Sequence, residues 1–242
     1  MAPIRKGDGT PLEIPGVQEV RTGDGRVFFG AIPDWYVSQY RMDEGDGSSL
    51  TNAFDGQPDA TLNGPSWFSD SNLVGGFGLI FDGSDQVDLD SNLDFIGDNE
   101  QFSFAVTVNP DNLDNSEFYF TQGDSETVAA FGQIGNGGIG ISWFDNGSWQ
   151  VDASVSNPPT GRIRVGFRLD TENNQGDVAI NGDIVTDSSN RRSGDLATGA
   201  TLGARQDGVD PYNGSMDNAA WANKYLTASE FAEDYQSQPF SE

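Results

Sequence analysis

The stretch "QFSFAVTVNP", residues 101–110, indicates the fold class. Phe and Val occupy its even positions from 102 to 108, and Ser, Ala and Thr occupy the odd positions between them. An alternation of period two with one apolar face is typical of an antiparallel strand that is half-buried on the core. The stretch "RIRVGFRL", residues 162–169, has the same period, with its second face rich in Arg. Both stretches predict β structure.

Turn signals separate the other extended segments. Asn146-Gly147 and Asn181-Gly182 each stand between such segments, and Asn-Gly is the preferred pair for a two-residue type I′ hairpin turn. Helical periodicity is nearly absent outside "TASEFAEDY", residues 227–235, where Thr227 and Glu230 form a capping box. We therefore predict an all-β fold, a two-sheet antiparallel sandwich with one short C-terminal helix.

Composition limits both the chemistry and the partners of the chain. Its 242 residues include no Cys and no His, which excludes disulfides, a Ser–His–Asp triad and a His-ligated zinc site. The 38 acidic and 12 basic residues give a formal charge of -26, which repels nucleic acid and anionic membranes. Molar salt shortens the screening length to about 3 Å and relieves this self-repulsion. We therefore expect a protein adapted to high salt, the alternative being an acidic protein of ordinary salinity.

Targeting signals are absent from the sequence. The start, "MAPIRKGDGT", lacks the apolar run of a signal peptide, and no segment approaches the roughly 20 apolar residues of a membrane span. We expect synthesis in the cytoplasm without a signal peptide and no membrane insertion.

The N-terminal segment differs from the rest of the chain. The stretch from Lys6 to Asp34 carries three Pro and two Asp-Gly pairs among short apolar pieces. We predict an extended N-terminal arm at residues 1–35, with a small hairpin at "RTGDGRV", followed by one sandwich domain at 36–242. Because the arm is apolar but too short for a core of its own, we expect it to anchor the protein to another molecule.

Several landmarks follow one another in a recognisable order. They are "YRMDEGDGSSL" at residues 40–50, "IFDG" at 80–83, "QFSFAVTVNP", "DVAINGDIV" at 177–185 and "GSMDNAAWANKYLTASEFAEDY" at 214–235. This order resembles the LamG-like, concanavalin A-like lectin and glucanase domains. The resemblance covers about residues 36–235 and implies a jelly-roll sandwich whose closing strand returns beside the first strand. It also implies that the C-terminal helix closes the end of the sandwich.

The same resemblance implies a calcium ion between the first and closing strands. At the matching positions stand Glu44 and Asp217, with backbone carbonyls near Gly45 and Gly214 to complete the shell. Ca²⁺ prefers six to eight such oxygens. The alternative is that these carboxylates are solvated like most of the 38 acidic residues. A second acidic stretch, "DGSDQVDLD" at 82–90, lacks the last Glu of an EF-hand loop, and we predict a turn there.

Lectin-like sandwiches bind sugars through loops and a sheet face, where Asp and Asn fix hydroxyl groups and aromatic rings stack. Two predicted loops offer such residues, and our candidates for ligand binding are Asp145, Asn146, Asp210, Tyr212 and Asn213.

Two further sets of residues have competing interpretations. Trp143 and Trp149 flank one hairpin and are expected on one face, which we assign to the core rather than to sugar stacking. Arg162, Arg164 and Arg168 share a strand face. They either form a site for anionic sugars or, as we prefer, pair with acidic residues of neighbouring strands.

The arm and the acidic composition also resemble structural proteins of haloarchaeal tailed viruses. We therefore expect a non-enzymatic protein of the virion surface, of the capsid spike, turret or tail fibre type, that attaches to a host glycan or glycoprotein. The alternative is a structural decoration or tail component that binds only other virion proteins. A homo-oligomer held by the arm is expected. Glycosidase activity is not, because the Glu-x-Asp-x-x-Glu strand of related glucanases is absent.

Overall fold

A computed structural model describes most of the sandwich. The described residues are 20–21, 27–28, 33–89, 101–123, 127–135, 137–145, 148–170, 172–173, 175–185 and 199–238. Most of the predicted arm, including the hairpin turn at 22–26, lies outside these residues. The two short strands that flank this turn are paired antiparallel, with Val20 opposite Phe28.

Extended segments dominate the described chain. The strands, in chain order, are β1 (Val20–Arg21), β2 (Val27–Phe28), β3 (Ser38–Tyr40), β4 (Ser49–Leu50), β5 (Ala60–Asn63), β6 (Ser66–Ser69), β7 (Phe77–Asp82), β8 (Gln86–Asp88), β9 (Gln101–Pro110), β10 (Ser116–Gly123), β11 (Thr127–Ile134), β12 (Gly138–Asp145), β13 (Ser148–Ser156), β14 (Ile163–Asp170), β15 (Gln175–Ile180), β16 (Asp183–Ile184), β17 (Ala200–Leu202) and β18 (Asn213–Ala222). One 3₁₀ turn (Val74–Gly76) and one α-helix, α1 (Ala228–Gln236), accompany them.

The strands form two antiparallel sheets, and the predicted all-β sandwich is confirmed. Sheet A has the order β13-β12-β11-β10-β17-β8-β5-β4. Sheet B has the order β16-β15-β14-β9-β18-β7-β6, with β3 also paired to β18. The predicted type I′ hairpin between β15 and β16 is present, because Asn181 and Gly182 both have positive φ, 52° and 87°. The turn at 146–147 lies outside the described residues, although β12 and β13 pair on either side of it.

The closing strand lies beside the first strand of the sandwich, as the resemblance implies. One side of β18 pairs with β9. The other side pairs with β3 near Ala219, which is opposite Tyr40, and with β7 near Met216, which is opposite Leu79. Asp217 therefore stands where β3 gives way to β7.

The core between the sheets is built largely from Phe rings. The ring of Phe104 lies 4.9 Å from that of Phe120, 5.1 Å from that of Trp221 and 6.1 Å from that of Phe167, measured between centroids. Each such pair adds about 0.5–1.5 kcal/mol beyond the burial of its area. These contacts join β9, β10, β14 and β18, so the core holds the two sheets together at their centre.

Strand β9 is buried on both faces, whereas its alternation predicts a half-buried strand. The even-numbered side chains from 102 to 108 lie in the core, and the odd-numbered ones from 103 to 107 are also buried. Because those odd positions carry Ser, Ala and Thr, they leave room for another element to lie on the outer face of sheet B.

Helix α1 occupies this outer face, so the expectation that it closes the end of the sandwich is wrong. The predicted capping box is present, since the Thr227 side chain accepts the Glu230 amide and the Glu230 side chain accepts the Thr227 amide. Phe231 packs against a small-residue surface that includes Ala105 and Ala179. A Cβ at Gly166 would lie 2.5 Å from the Phe231 ring, so the helix requires glycine there. None of the described helices has the length and apolar character needed to cross a membrane.

A buried ion pair fastens the helix to the sheet. Arg164 of β14 donates to both carboxylate oxygens of Asp234 in α1, from Nε at 2.7 Å and from Nη2 at 3.0 Å. The two side chains are only 2% and 3% exposed. Arg164 also donates to the carbonyl of Asn218, whose side-chain amide donates to Gln238 at 3.0 Å. The network thus links β14, β18 and the C-terminal end of α1.

Candidate binding site

Glu44, a predicted calcium ligand, is hydrogen-bonded through only one of its two carboxylate oxygens among the described residues. It lies in the loop between β3 and β4, where its Oε1 accepts the Thr51 amide at 2.7 Å. Its Oε2 is buried and has no hydrogen-bond partner among the described residues. Burial raises the pKa of Glu44, and burial also raises the pKa of the adjacent Asp43. A desolvated carboxylate oxygen with free lone pairs is suited to a cation such as Ca²⁺.

The other predicted calcium residues do not all join Glu44. Gly45 follows it with φ of 76°, packed so closely that a Cβ would lie 2.9 Å from the Phe77 ring. Gly214 and Asp217 are three positions apart in β18, about 10 Å along an extended strand. Oxygens that share one Ca²⁺ lie within about 5 Å of each other. The Gly214 carbonyl is therefore too far along the strand to share an ion with the Asp217 carboxylate.

Calcium between the two strands stays a prediction. Within the described parts of the chain, no three Asp, Glu, His or Cys side chains are placed to hold one metal ion. A site at this place would depend on Glu44, Asp217 and backbone carbonyls.

The predicted loop residues occupy different environments. Tyr212 lies in the core, its ring 5.7 Å from Phe81, and its hydroxyl donates to the Ser215 carbonyl at 2.9 Å. It cannot stack on a sugar, because its side chain is fully buried. Asn213 is half-buried, and its backbone amide donates to Glu117 Oε2 at 3.0 Å. Asp210 has φ of 52°, and burial raises the pKa of its carboxyl.

The two predicted ligand loops do not meet. The Asp210 carbonyl accepts the Phe118 amide, and Phe118 is in register with Gly132 and Gly140 across sheet A. Asp145 lies five residues beyond Gly140 along β12, about 17 Å away. Asn146 lies outside the described residues. Sheet register therefore separates the loop at 210–213 from the hairpin of β12 and β13.

The prediction that the two Trp residues of that hairpin share a face stays a prediction, because the Trp149 side chain lies outside the described part of the structure. The backbone register pairs Trp143 with Gln150 and Phe144 with Trp149. The assignment of Trp143 to the core is confirmed, since it is 2% exposed and packs in the central cluster.

The structure shows a polar surface that the sequence analysis missed, formed by Thr61, Asn63, Gln86 and Asp88 and called here the Asp88 patch. Leu62 and Val87 point into the core, so their neighbours along β5 and β8 face outward on sheet A. Asp88 lies directly opposite Thr61, and Gln86 lies opposite Asn63. Thr61 and Asn63 are exposed, while Gln86 and Asp88 are half-buried. The alternation of polar and apolar residues in "TLN" (61–63) and "QVDL" (86–89) is the feature of the sequence that could have predicted this surface.

The predicted turn at 82–90 is correct only in its first part. Asp82 and Asp85 form it, since Asp82 Oδ1 accepts the Ser84 amide at 3.0 Å and Asp85 Oδ2 accepts the Asp82 amide at 2.8 Å. Asp88 instead belongs to β8, between β5 and β17.

One carboxylate orients both amides of the Asp88 patch. Asn63 Nδ2 donates to Asp88 Oδ2 at 2.6 Å, and Gln86 Nε2 donates to Asp88 Oδ1 at 2.6 Å. Each amide therefore turns its carbonyl oxygen away from Asp88. Two fixed carbonyls, the remaining lone pairs of Asp88 and the Thr61 hydroxyl can bind several hydroxyl groups of one ligand.

Most of the described basic side chains are held in ion pairs. Of the six whose side chains the structure describes, five contact a carboxylate at 2.5–2.7 Å. The pairs are Arg162–Asp70, Arg164–Asp234, Arg168–Asp177, Arg205–Asp207 and Lys224–Glu230. The sixth is Arg41, whose pKa is lowered by burial.

The preferred interpretation of the Arg face, pairing with acidic residues of neighbouring strands, is confirmed for Arg168 but not for Arg162 and Arg164. Only Arg168–Asp177 is a pair between neighbouring strands. Arg164 instead reaches the helix, and Arg162 reaches Asp70 in the connection between β6 and β7.

Comparison with known proteins gives the fold but no sequence family. No family model matches the chain, and no curated protein matches it. Domain 4 of AbnA, an extracellular arabinanase from Geobacillus stearothermophilus, in complex with arabinotriose, is similar with a TM-score of 0.65 and 18% identity, over 83% of this chain and 97% of that domain.

Two other matches cover only part of the known protein. Trypanosoma rangeli sialidase in complex with sialic acid matches with a TM-score of 0.59 and 16% identity, over 87% of this chain and 34% of the sialidase. The binding domain of botulinum neurotoxin serotype G matches with a TM-score of 0.63 and 13% identity, over 84% of this chain and 51% of that domain. The chain thus has a β-sandwich fold similar to that of these three proteins.

Proposed function

We propose that this chain is a non-enzymatic binding module that recognises a saccharide. The observation that carries the proposal is the likeness to the arabinanase domain in complex with arabinotriose, because it extends over 97% of that domain. The binding domain of a neurotoxin on the same fold supports a receptor-binding role. The polar outer face of sheet A supplies a surface on which hydroxyl groups can be bound.

The absence of catalysis is part of this proposal. The sequence lacks the Glu-x-Asp-x-x-Glu strand and contains no His. Three of the buried or half-buried carboxylates, Asp70, Asp177 and Asp234, are held by Arg side chains. Glycosidases need two carboxyl groups about 5–9.5 Å apart across a cleft. Incubation with a panel of nitrophenyl glycosides and arabino-oligosaccharides should release no product, and measurable turnover would contradict this part.

We propose further that the module is displayed on a virion and attaches it to a host glycan or glycoprotein. The charge of -26 suits a particle exposed to high salt, and the apolar arm suits attachment to another copy or another virion protein. Trp35 already packs with Tyr36 beneath the helix, their rings 6.2 Å apart. A deletion should therefore remove residues 1–32 only. The truncated protein should fold but fail to assemble into particles, and normal incorporation would contradict the anchoring role.

A glycan array probed in molar NaCl tests the binding function directly. The full chain, labelled at an engineered terminal tag, should bind a defined subset of glycans, and a heat-denatured sample should bind none. If no glycan is bound while the protein still assembles into particles, the proposal fails and the purely structural decoration role takes its place.

A further inference from the structure

We infer that the Asp88 patch is the saccharide site and that its ligand is uncharged, a neutral hydroxyl-rich sugar rather than a sialylated, sulfated or uronic one. The inference rests on the proposed binding function. It adds the position of the site and the chemical class of the ligand.

The position follows from the way the patch is built. Its four residues lie on two paired strands, so sheet register rather than a loop fixes their spacing. The hydrogen bonds to Asp88 hold the amides of Asn63 and Gln86 at 2.6 Å. Binding then orders few additional side chains, which lowers the entropic cost of taking up a ligand.

A row of polar residues extends from the Asp88 patch across sheet A, but only the residues at the β5 end of this row are exposed to solvent. Across sheet A, Thr201 of β17 lies opposite Asp88, and Thr121 of β10 lies opposite Thr201. Both hydroxyls already bond to the Ala204 carbonyl, at 2.6 and 3.2 Å, and both side chains are buried. Thr61, on the other side of Asp88, is exposed. The ligand therefore lies over β5 and β8, where the polar groups are accessible.

The class of ligand follows from charge. The patch contains one carboxylate and no basic side chain. Five of the six described basic side chains are already paired with a carboxylate elsewhere. A sugar with its own carboxylate or sulfate would face Asp88 without a compensating cation among the described residues, in a chain with a net charge of -26. A neutral sugar can donate hydroxyl protons to Asp88 and to the two amide carbonyls without this repulsion.

Matched sugars and single substitutions test both parts. The full chain would be titrated by calorimetry in molar NaCl with arabinotriose, lactose and 3′-sialyllactose, the last two differing by one acidic residue. We expect at least one neutral sugar to bind, and lactose to bind at least tenfold more tightly than 3′-sialyllactose. Asn63→Ala, at an exposed position, should weaken neutral-sugar binding at least tenfold. Asn223→Ala, an exposed Asn just beyond β18, is the control and should change nothing.

The outcomes distinguish a failure of the inferred site or ligand class from a failure of the proposed function. Asp88→Asn should weaken binding and also reduce the ratio of the lactose to the 3′-sialyllactose affinity, because it removes the repelling charge. A neutral sugar bound equally well by Asn63→Ala and Asp88→Asn, both folded by circular dichroism, would overturn the position. Tighter binding of 3′-sialyllactose would overturn the ligand class while the proposed function stands. Binding of none of the sugars, here and on the array, would refute the proposed function itself.

Discussion

Removing the charge of Asp234 tests whether the helix is fastened to the sheet as described. Asp234→Asn keeps the volume of the side chain and leaves the Arg164 guanidinium buried without a counter-charge. Both side chains are at most 3% exposed, and the contact is bidentate. Breaking one partner of such a pair costs about 3–5 kcal/mol. In a chain of this size about 1 kcal/mol moves Tm by about 2–4 °C, so a fall of about 6–20 °C is expected.

The assay is thermal unfolding of the full chain followed by circular dichroism at a fixed molar NaCl concentration. The matched control is Asp207→Asn, which breaks the pair between Arg205 and an Asp207 side chain that is 36% exposed. An exposed pair contributes about 0–1 kcal/mol, so the control should shift Tm by only a few degrees. The double variant Arg164→Met with Asp234→Leu should regain much of the loss, because it leaves no buried charge unpaired.

Two results would refute this reasoning. One is an Asp234→Asn variant that loses no more stability than the Asp207→Asn control. The other is a loss that disappears when the NaCl concentration is doubled, since a buried pair is screened far less than an exposed one. Either result would mean that the guanidinium reaches solvent and that α1 does not cover it.

Four further predictions concern other parts of the fold. Gly166→Val should lower the free energy of unfolding by about 1–3 kcal/mol, because the new side chain overpacks against Phe231. The same substitution should cost less in a Phe231→Ala background. Ca²⁺ at a hundredfold excess over Kd should raise the free energy of unfolding of the wild type by about 2.7 kcal/mol. The increase should be smaller in Asp217→Asn. Burial raises the pKa of Glu44, so the folded protein binds this proton more tightly than the unfolded chain does. The stability that this proton contributes is present at low pH and is lost as the pH rises through the raised pKa. Glu44→Gln should therefore raise Tm at neutral pH with chelator and lower it with Ca²⁺. For the wild type, Tm should rise from millimolar to molar NaCl as the charge of -26 is screened.

The predictions on Gly166, on calcium and on salt each have a contradicting result. Equal costs of Gly166→Val in both backgrounds would show that Phe231 is not its neighbour. Wild-type unfolding that is unchanged by chelation would remove calcium from the description of Glu44 and Asp217. A Tm independent of salt would contradict the adaptation to high salinity.

The strands and the capped helix could be predicted because their signals are local. The period of two in β9, the Asn-Gly pair at 181–182 and the capping box at Thr227 each need only a few neighbouring residues. The position of α1 could not be predicted in the same way, because it depends on Gly166 and the small residues of three other strands lying on one surface.

The candidate site was harder to predict because register between distant strands decides it. The sequence places Asp145 and Asp210 in two similar polar loops, and only the pairing across sheet A shows that they lie far apart. Tyr212 follows a Pro in a polar segment, yet its ring is in the core. Asp88 is one of 38 acidic residues, so nothing in its own type distinguishes it. Its importance appears only when Asn63, from another strand, is beside it.

The central place of β18 in sheet B has a consequence for the biosynthesis of the protein. The strand lies between β9 and β7, both of which are translated long before it. Until residues 213–222 emerge from the ribosome, β9 and β7 each lack the strand that pairs with one of their edges in the folded sheet. Unpaired edges are templates for association with other chains. A message truncated after β17 should therefore yield an aggregating fragment rather than a smaller folded domain, and folding of the sandwich should wait until β18 has been translated.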